Sequence, residues 1–331
     1  MDSANPSTVP TTPPTAKPAS TQDAARTHRV AFIVMALIFI GAPLVGVYPV
    51  FMMKVMCFAL FACAFNLLLG YGGLLSFGHA MFLGSAGYVS AHAAKVWGLT
   101  PELAIAMGAL CAGALGWVAG KLAIRRQGIY FAMITLALAQ LVFFFSLQAP
   151  FTGGEDGIQA VPRGKLLGLI DLANPAAMYP FVLAIFLGGF LLIYRIVHSP
   201  FGQVLKAIRE NEPRAISLGY DADKFKHRAF VLSATLAGLA GATKAIVFQL
   251  ASLTDVHWSM SGEVVLMTLV GGMGTLFGPV VGAAVIVSMQ NYLAQLGAWV
   301  TVVQGAIFVL CVLLFRRGII GEIGHLLKKS L

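Results

Sequence analysis

The sequence predicts an all-α polytopic membrane protein with eight to ten transmembrane segments, some broken or re-entrant, and both termini cytoplasmic. Three observations carry that prediction. Hydrophobic residues fill 58% of 331 positions and charged residues only 11%, a balance that excludes an ordinary soluble domain. Several apolar runs reach the roughly 20 residues needed to cross a hydrocarbon core about 30 Å thick. The positive residues behind a net charge of +9 sit beside those runs, the pattern of cytoplasmic loops rather than of a nucleic-acid surface.

Residues 1–29, rich in Pro, Ser, Thr and Ala, read as a disordered cytoplasmic tail. They lack signal-peptide form, because the basic residues come late and no cleavage site follows the apolar run. Arg26, His28 and Arg29 precede the first span and place it with its start inside. A transmembrane domain then covers residues 30–318. Its first two spans are Val30 to Tyr48 and Val50 to Leu69, turned at Pro49. The glycine-rich stretch Gly70 to Tyr88 predicts an irregular or re-entrant entry to span three, which ends near Val96. Irregular backbone at membrane depth survives only inside protein or beside a wet cavity. Gly72, Gly73, Ser76, His79 and, further on, Thr135 are therefore candidates for a translocation path, with close helix packing as the competing explanation.

Span four, Glu102 to Gly120, carries Gly108, Ala112, Gly116 and Gly120 at four-residue spacing, a small-residue packing face. Lys121, Arg125 and Arg126 return the chain to the cytoplasm, and span five runs from Ile129 to Leu147. An external loop from Gln148 to Ala177 and span six, which returns to Arg195, follow. Span seven is Ala229 to Leu250. Glu263 to Met273 is apolar but short, and the glycines from Gly271 to Gly282 break it like a discontinuous transporter helix. The last span is Ala298 to Phe315, and residues 319–331 form a cytoplasmic tail containing Lys328 and Lys329. The four cysteines lie in apolar runs at no metal spacing and read as core residues.

Between spans six and seven, residues 199–228 form the longest charged run in the chain. Its centre predicts a short helix capped by Asn211, with Glu212 and Pro213 in the first turn and Gly219 at the stop. Ala215, Ile216 and Leu218 supply an apolar side, with Arg209, Glu210 and Arg214 around it. A capped, half-apolar helix outside the membrane suits docking to another protein; a solvated loop on lipid headgroups is the plainer alternative.

Catalytic and energy-converting motifs are missing. No G-x-x-x-x-G-K-[ST] occurs, so the chain has no P-loop for ATP, and no H-E-x-x-H marks a metalloprotease. Ser76, Gly78 and His79 resemble part of a serine nucleophile turn, but Leu74 replaces the leading glycine. No catalytic residue, cofactor site or metal site is assigned. Lys244, in the outer half of span seven, needs either a partner or a snorkelling path to the external edge, where Asp255, His257 and Glu263 also lie.

A many-span chain with a docking helix and no energy source of its own suits a permease driven by a separate ATPase. Six stretches make the resemblance specific: Asn66–Ala80 (NLLLGYGGLLSFGHA), Gly128–Leu136 (GIYFAMITL), Thr152–Gly157 (TGGEDG), Lys206–Glu212 (KAIRENE), Ala237–Gly241 (AGLAG) and Glu263–Pro279. In that order they resemble the permeases of branched-chain amino acid ABC importers, a family that also takes in urea and short-amide importers. The Thr152-Gly-Gly motif resembles the second of the paired permeases. The resemblance implies a bacterial inner-membrane heterodimer with a second permease, two cytoplasmic ATP-binding subunits and a periplasmic substrate-binding protein. It assigns ATPase coupling to Arg209, Glu210, Asn211, Glu212, Ala215 and Gly219. Uptake of urea or short amides, and a stand-alone carrier or channel, are the alternatives.

Overall fold

The computed structural model describes residues 21–326, apart from 44, 167, 169, 295–296, 298 and 315–317. Among the described residues the fold is helical, with two small two-stranded ribbons, and five helices are long and apolar enough to cross a membrane. These are α2 (Pro49–Asn66, prolonged by a π-helical turn Leu67–Tyr71), α4 (Pro101–Ala123), α5 (Ile129–Gln148), α6 (Pro175–His198) and α9 (Ala222–Phe248). Proline at the first helical positions of α2, α4 and α6 starts each where a missing N–H is harmless.

The remaining passes are shorter or interrupted: α1 (Thr21–Gly41), α3 (His79–Lys95), α10 (Trp258–Gly271), α11 (Gly278–Tyr292) and α12 (Trp299–Leu314). Contacts at their ends show how they alternate. Extended residues 73–78 climb from the end of α2 into α3, and α3 finishes where Lys95 donates to the Gln159 carbonyl at 2.7 Å. Residues 272–277 reach the same end as Gly70 before α11 turns back toward Phe51, which faces Tyr292 at 6.4 Å. A final helix, α13 (Gly318–Leu326), begins against Gly272. Among the described residues, ten helical segments therefore alternate between two ends. The end that holds the starts of α1 and α13 also carries Lys121, Arg125, Arg126, Lys206 and Arg209, which marks it cytoplasmic.

Three expectations need correction. Helix α1 begins at Thr21, so residues 21–29 are helical rather than part of a disordered tail, and the span ends at Gly41 rather than Tyr48. Extending a helix from an apolar span costs little once the span exists. Residues 1–20, with Arg316, Arg317, Lys328 and Lys329, lie outside the described residues. Residues 318–326 of the C-terminal stretch form α13, which packs on α10 and α11. Residues 199–228 hold three helices rather than one: α7 (Pro200–Glu210), α8 (Glu212–Ser217) and the start of α9.

Helix α2 is the hub, buried almost continuously from Met53 onward by α6, α9, α10 and α11. The small-residue stripe of α4 packs as expected. A methyl group at Gly116 would lie 2.4 Å from the Ala234 Cβ, and one at Gly238 2.2 Å from the Ala112 Cβ. Helix α3 sits as close to α9, where a Cβ at Gly241 would fall 1.9 Å from the Leu83 carbonyl oxygen. Close approach of backbones lets dispersion hold helices together where lipid removes the hydrophobic drive. Outward faces of α5 and α12, including Leu141, Phe144, Val309 and Leu313, are exposed.

Beyond the external ends, β1 (Ile158–Gln159) pairs antiparallel with β4 (Leu250–Ala251), and β2 (Lys165–Leu166) with β3 (Ile170–Asp171). Arg163 anchors this loop by donating to the Val247 carbonyl at 2.9 Å.

Candidate functional site

The predicted cap and stop of the short helix α8 are both present. The Asn211 side chain accepts from the Arg214 N–H at 3.0 Å, and Gly219 adopts φ +90, a left-handed conformation that ends α8. Helix α7 was not singled out in the sequence. Ser199 caps it, Pro200 starts it, and Gly202, Leu205 and Ile208 turn inward while Gln203, Ala207 and Glu210 face out. That periodicity and the Ser199-Pro200 start are its sequence signals.

The six coupling candidates divide by orientation. Ala215 is 2% exposed, in a small core with Ile208 and Ala222 that is separate from the main one. Ile216 and Leu218, expected beside it on one apolar side, point the other way and are 55% and 70% exposed. Glu212 is an internal strut: it accepts from Lys226 at 2.6 Å and from Gln127 at 3.1 Å. Asn211 and Gly219 shape the ends of α8, and Glu210 is exposed. Arg209 reaches back into the bundle and donates through Nη1 to the carbonyl of Gly70. On the same arm, burial pushes the Lys206 ammonium below the usual lysine range while Glu210 pulls it up.

Arg209 joins α7 to both broken passes. Besides Gly70, its side chain covers Gly73, where a Cβ would meet Cγ at 3.0 Å, and Gly274, where one would meet Nη1 at 3.4 Å. Asn66 clamps the same two breaks together: Nδ2 donates to the Thr275 carbonyl at 2.8 Å and Oδ1 accepts from the Gly274 N–H at 3.0 Å. Nothing in the sequence marks Asn66 apart from its being a polar residue inside an apolar run. Asn66→Leu should destabilise the fold by about 2–3 kcal/mol, because two backbone groups lose their partners. Thermal unfolding in detergent checks this, and an unchanged midpoint would refute the clamp.

Of the path candidates, Ser76, His79 and Thr135 are fully buried. His79 sits among Phe65, Phe82 and Phe230, with Nε2 at 2.8 Å from the Ser233 hydroxyl, which donates to the Ala64 carbonyl at 2.5 Å. Thr135 accepts from the Phe77 N–H at 3.2 Å and donates to the Ala132 carbonyl at 2.9 Å, pinning the extended entry to α5. The Ser76 hydroxyl accepts from the Gly78 N–H at 3.2 Å. Gly72 is buried near Leu205, and Gly73 is exposed. These residues come together as the wall of an interrupted pass. No metal-ligating cluster occurs among the described residues.

At the external end Lys244 does not snorkel. It forms an ion pair with Asp255, their side chains 16% and 12% exposed. Glu263 accepts from Gln290 at 2.9 Å.

Comparison with known proteins agrees with this architecture. The family model described as the branched-chain amino acid transport system / permease component matches residues 49–312. The high-affinity branched-chain amino acid transport system permease protein LivM of Escherichia coli (strain K12) is 25% identical over 289 residues, covering 80% of this chain and 68% of that protein. The ribose import permease protein RbsC of Bacillus subtilis (strain 168) is 28% identical over 239 residues, covering 67% and 70%. The xylose transport system permease protein XylH of Haemophilus influenzae (strain ATCC 51907 / DSM 11121 / KW20 / Rd) is 30% identical over 159 residues, covering 44% and 42%. No solved structure matches. With 264 consecutive residues matched and ten alternating passes broken at its glycine-rich stretches, the chain belongs to the branched-chain amino acid transport permease family.

Proposed function

We propose that this multi-pass ABC-type permease imports branched-chain amino acids across a bacterial inner membrane as one half of a permease heterodimer. Two ATP-hydrolysing subunits drive it from the cytoplasm, and a periplasmic binding protein feeds it. The observation that carries the reading is the arm formed by α7 and α8. Its exposed tip offers Ile216 and Leu218 to a partner, while its root, Arg209, holds the backbone beside both broken passes.

Closure of the ATPase pair would push on α8, which is braced by Ala215 in its small core and by the Glu212–Lys226 pair. The displacement would pass through α7 and Arg209 to Gly70, Gly73 and Gly274. Broken segments are the parts of a bundle that can rearrange without unmaking a whole helix, so force delivered there changes access. Ser76, His79 and Thr135 line that moving wall and would meet the path when it opens. Residues 30–318 act as one permease domain with 199–228 as its coupling insert.

The substrate assignment rests on the wide coverage of the LivM relative, set against similarity to ribose and xylose permeases. Reconstitution with the ATPases, second permease and binding protein decides it. Leucine, isoleucine and valine are expected to raise ATP hydrolysis at least several-fold above basal. Stimulation by ribose, xylose or urea instead would overturn the substrate. Uptake driven by an ion gradient with no ATPase present would overturn the mechanism.

A further inference from the structure

The cytoplasmic end also holds a cavity of about 620 Å³ between α1, the end of α6 and α7. Its titratable lining is the cations Lys206 and Arg209 and the imidazoles of His28 and His198, against the single carboxylate of Glu210. Neither Lys206 nor Arg209 belongs to an ion pair among the described residues, and Nδ1 of His28 is buried without a hydrogen-bond partner there. A partly enclosed pair of cations flanked by two imidazoles, with one carboxylate against them, favours an anion.

Beside it runs an apolar groove of about 340 Å³ between α1 and α11, from Ala31 and Phe277 to Ile38 and Ala284. The two spaces meet across one pair of rings. His28 lines the polar cavity and stacks on Phe277 of the groove, centroids 6.3 Å apart and planes 20° apart. Helix α1 rests on α6 through Phe32 on Phe190 at 5.9 Å and Phe39 on Phe186 at 5.1 Å.

A cationic chamber at the membrane boundary, adjoining an apolar slot across the His28–Phe277 ring pair, suits a molecule with an anionic head and a hydrocarbon tail. We infer that it is a binding site for an anionic phospholipid of the cytoplasmic leaflet. The phosphate lies among Lys206, Arg209 and the two histidines, and one acyl chain fills the α1–α11 groove. A soluble anion would leave the groove empty, and a neutral lipid would leave the cations uncompensated. Because α7 supplies two of the phosphate-holding side chains, the lipid also ties the root of the coupling arm to the bilayer.

The test is lipid retention by the purified full chain, read by native mass spectrometry after exchange into mixed phosphatidylglycerol and phosphatidylcholine. At least a tenfold preference for phosphatidylglycerol is expected. Lys206→Gln combined with His198→Gln should reduce it below twofold, whereas Lys206→Arg should keep it. Ala284→Trp, which fills the groove, should lower retention of phosphatidylglycerol at least fivefold. Equal retention of both lipids in the unmodified chain would overturn the inference. So would competition by inorganic phosphate that Ala284→Trp leaves unchanged, since that describes a soluble-anion site. Undiminished lipid preference in Ala284→Trp, together with loss of permease pairing, would assign the groove to a protein partner and also overturn it.

Discussion

Ala215→Asp is expected to lower substrate-stimulated ATP hydrolysis of the assembled transporter at least tenfold while the permease still inserts and folds. The carboxylate would enter a core of Ile208 and Ala222 with no cationic partner, and a charge buried that way costs several kcal/mol. That core is separate from the main one, so the loss falls on the seating of α8 rather than on the bundle. Gly219→Pro should behave alike. Proline fixes φ near −65°, against the observed +90, and removes the N–H that Gly219 donates to the Ile216 carbonyl at 2.9 Å. Leu218→Asp separates shape from contact: Leu218 is 70% exposed, so the variant should keep its melting temperature yet lose coupling. Normal stimulation in all three would remove α8 from the mechanism.

Lys244→Met is expected to cost about 3–5 kcal/mol, because it strands the Asp255 carboxylate inside the bundle. The double change Lys244→Met with Asp255→Leu should recover most of that loss, since apolar neighbours replace a pair whose desolvation is expensive. Thermal unfolding of the four proteins in one detergent gives the coupling directly. A single variant as stable as the parent, or a double variant no better than the single, would show that the pair is not held as the structure places it. The pairing also has a mechanical sense: it ties α9 to the short loop carrying Asp255, against whose Val256 a Cβ at Gly84 of α3 would sit at 2.3 Å.

The Asn211 cap and the Gly219 stop are readable in the sequence because capping is chemistry between neighbours three or four residues apart. Span positions are readable for a related reason: transfer into hydrocarbon depends on composition over a window, whatever packs outside it. Helix α7 was harder to see, since its inward residues Leu205 and Ile208 are spread among Lys206, Arg209 and Glu210. The split of α8 into an inward Ala215 and outward Ile216 and Leu218 has no local marker, because all three are apolar and only the position of α7 and α9 decides which is covered.

Class, membrane character, the approximate spans and the presence of a capped cytoplasmic helix follow from local composition and short-range hydrogen bonding alone. Which residues meet does not. Asn66 with Gly274, Arg209 with Gly70, and Lys244 with Asp255 lie 208, 139 and 11 residues apart. Each is a polar residue whose partner only the packed bundle supplies, because in a medium without water a polar group must find whatever donor or acceptor the neighbouring helix brings to it.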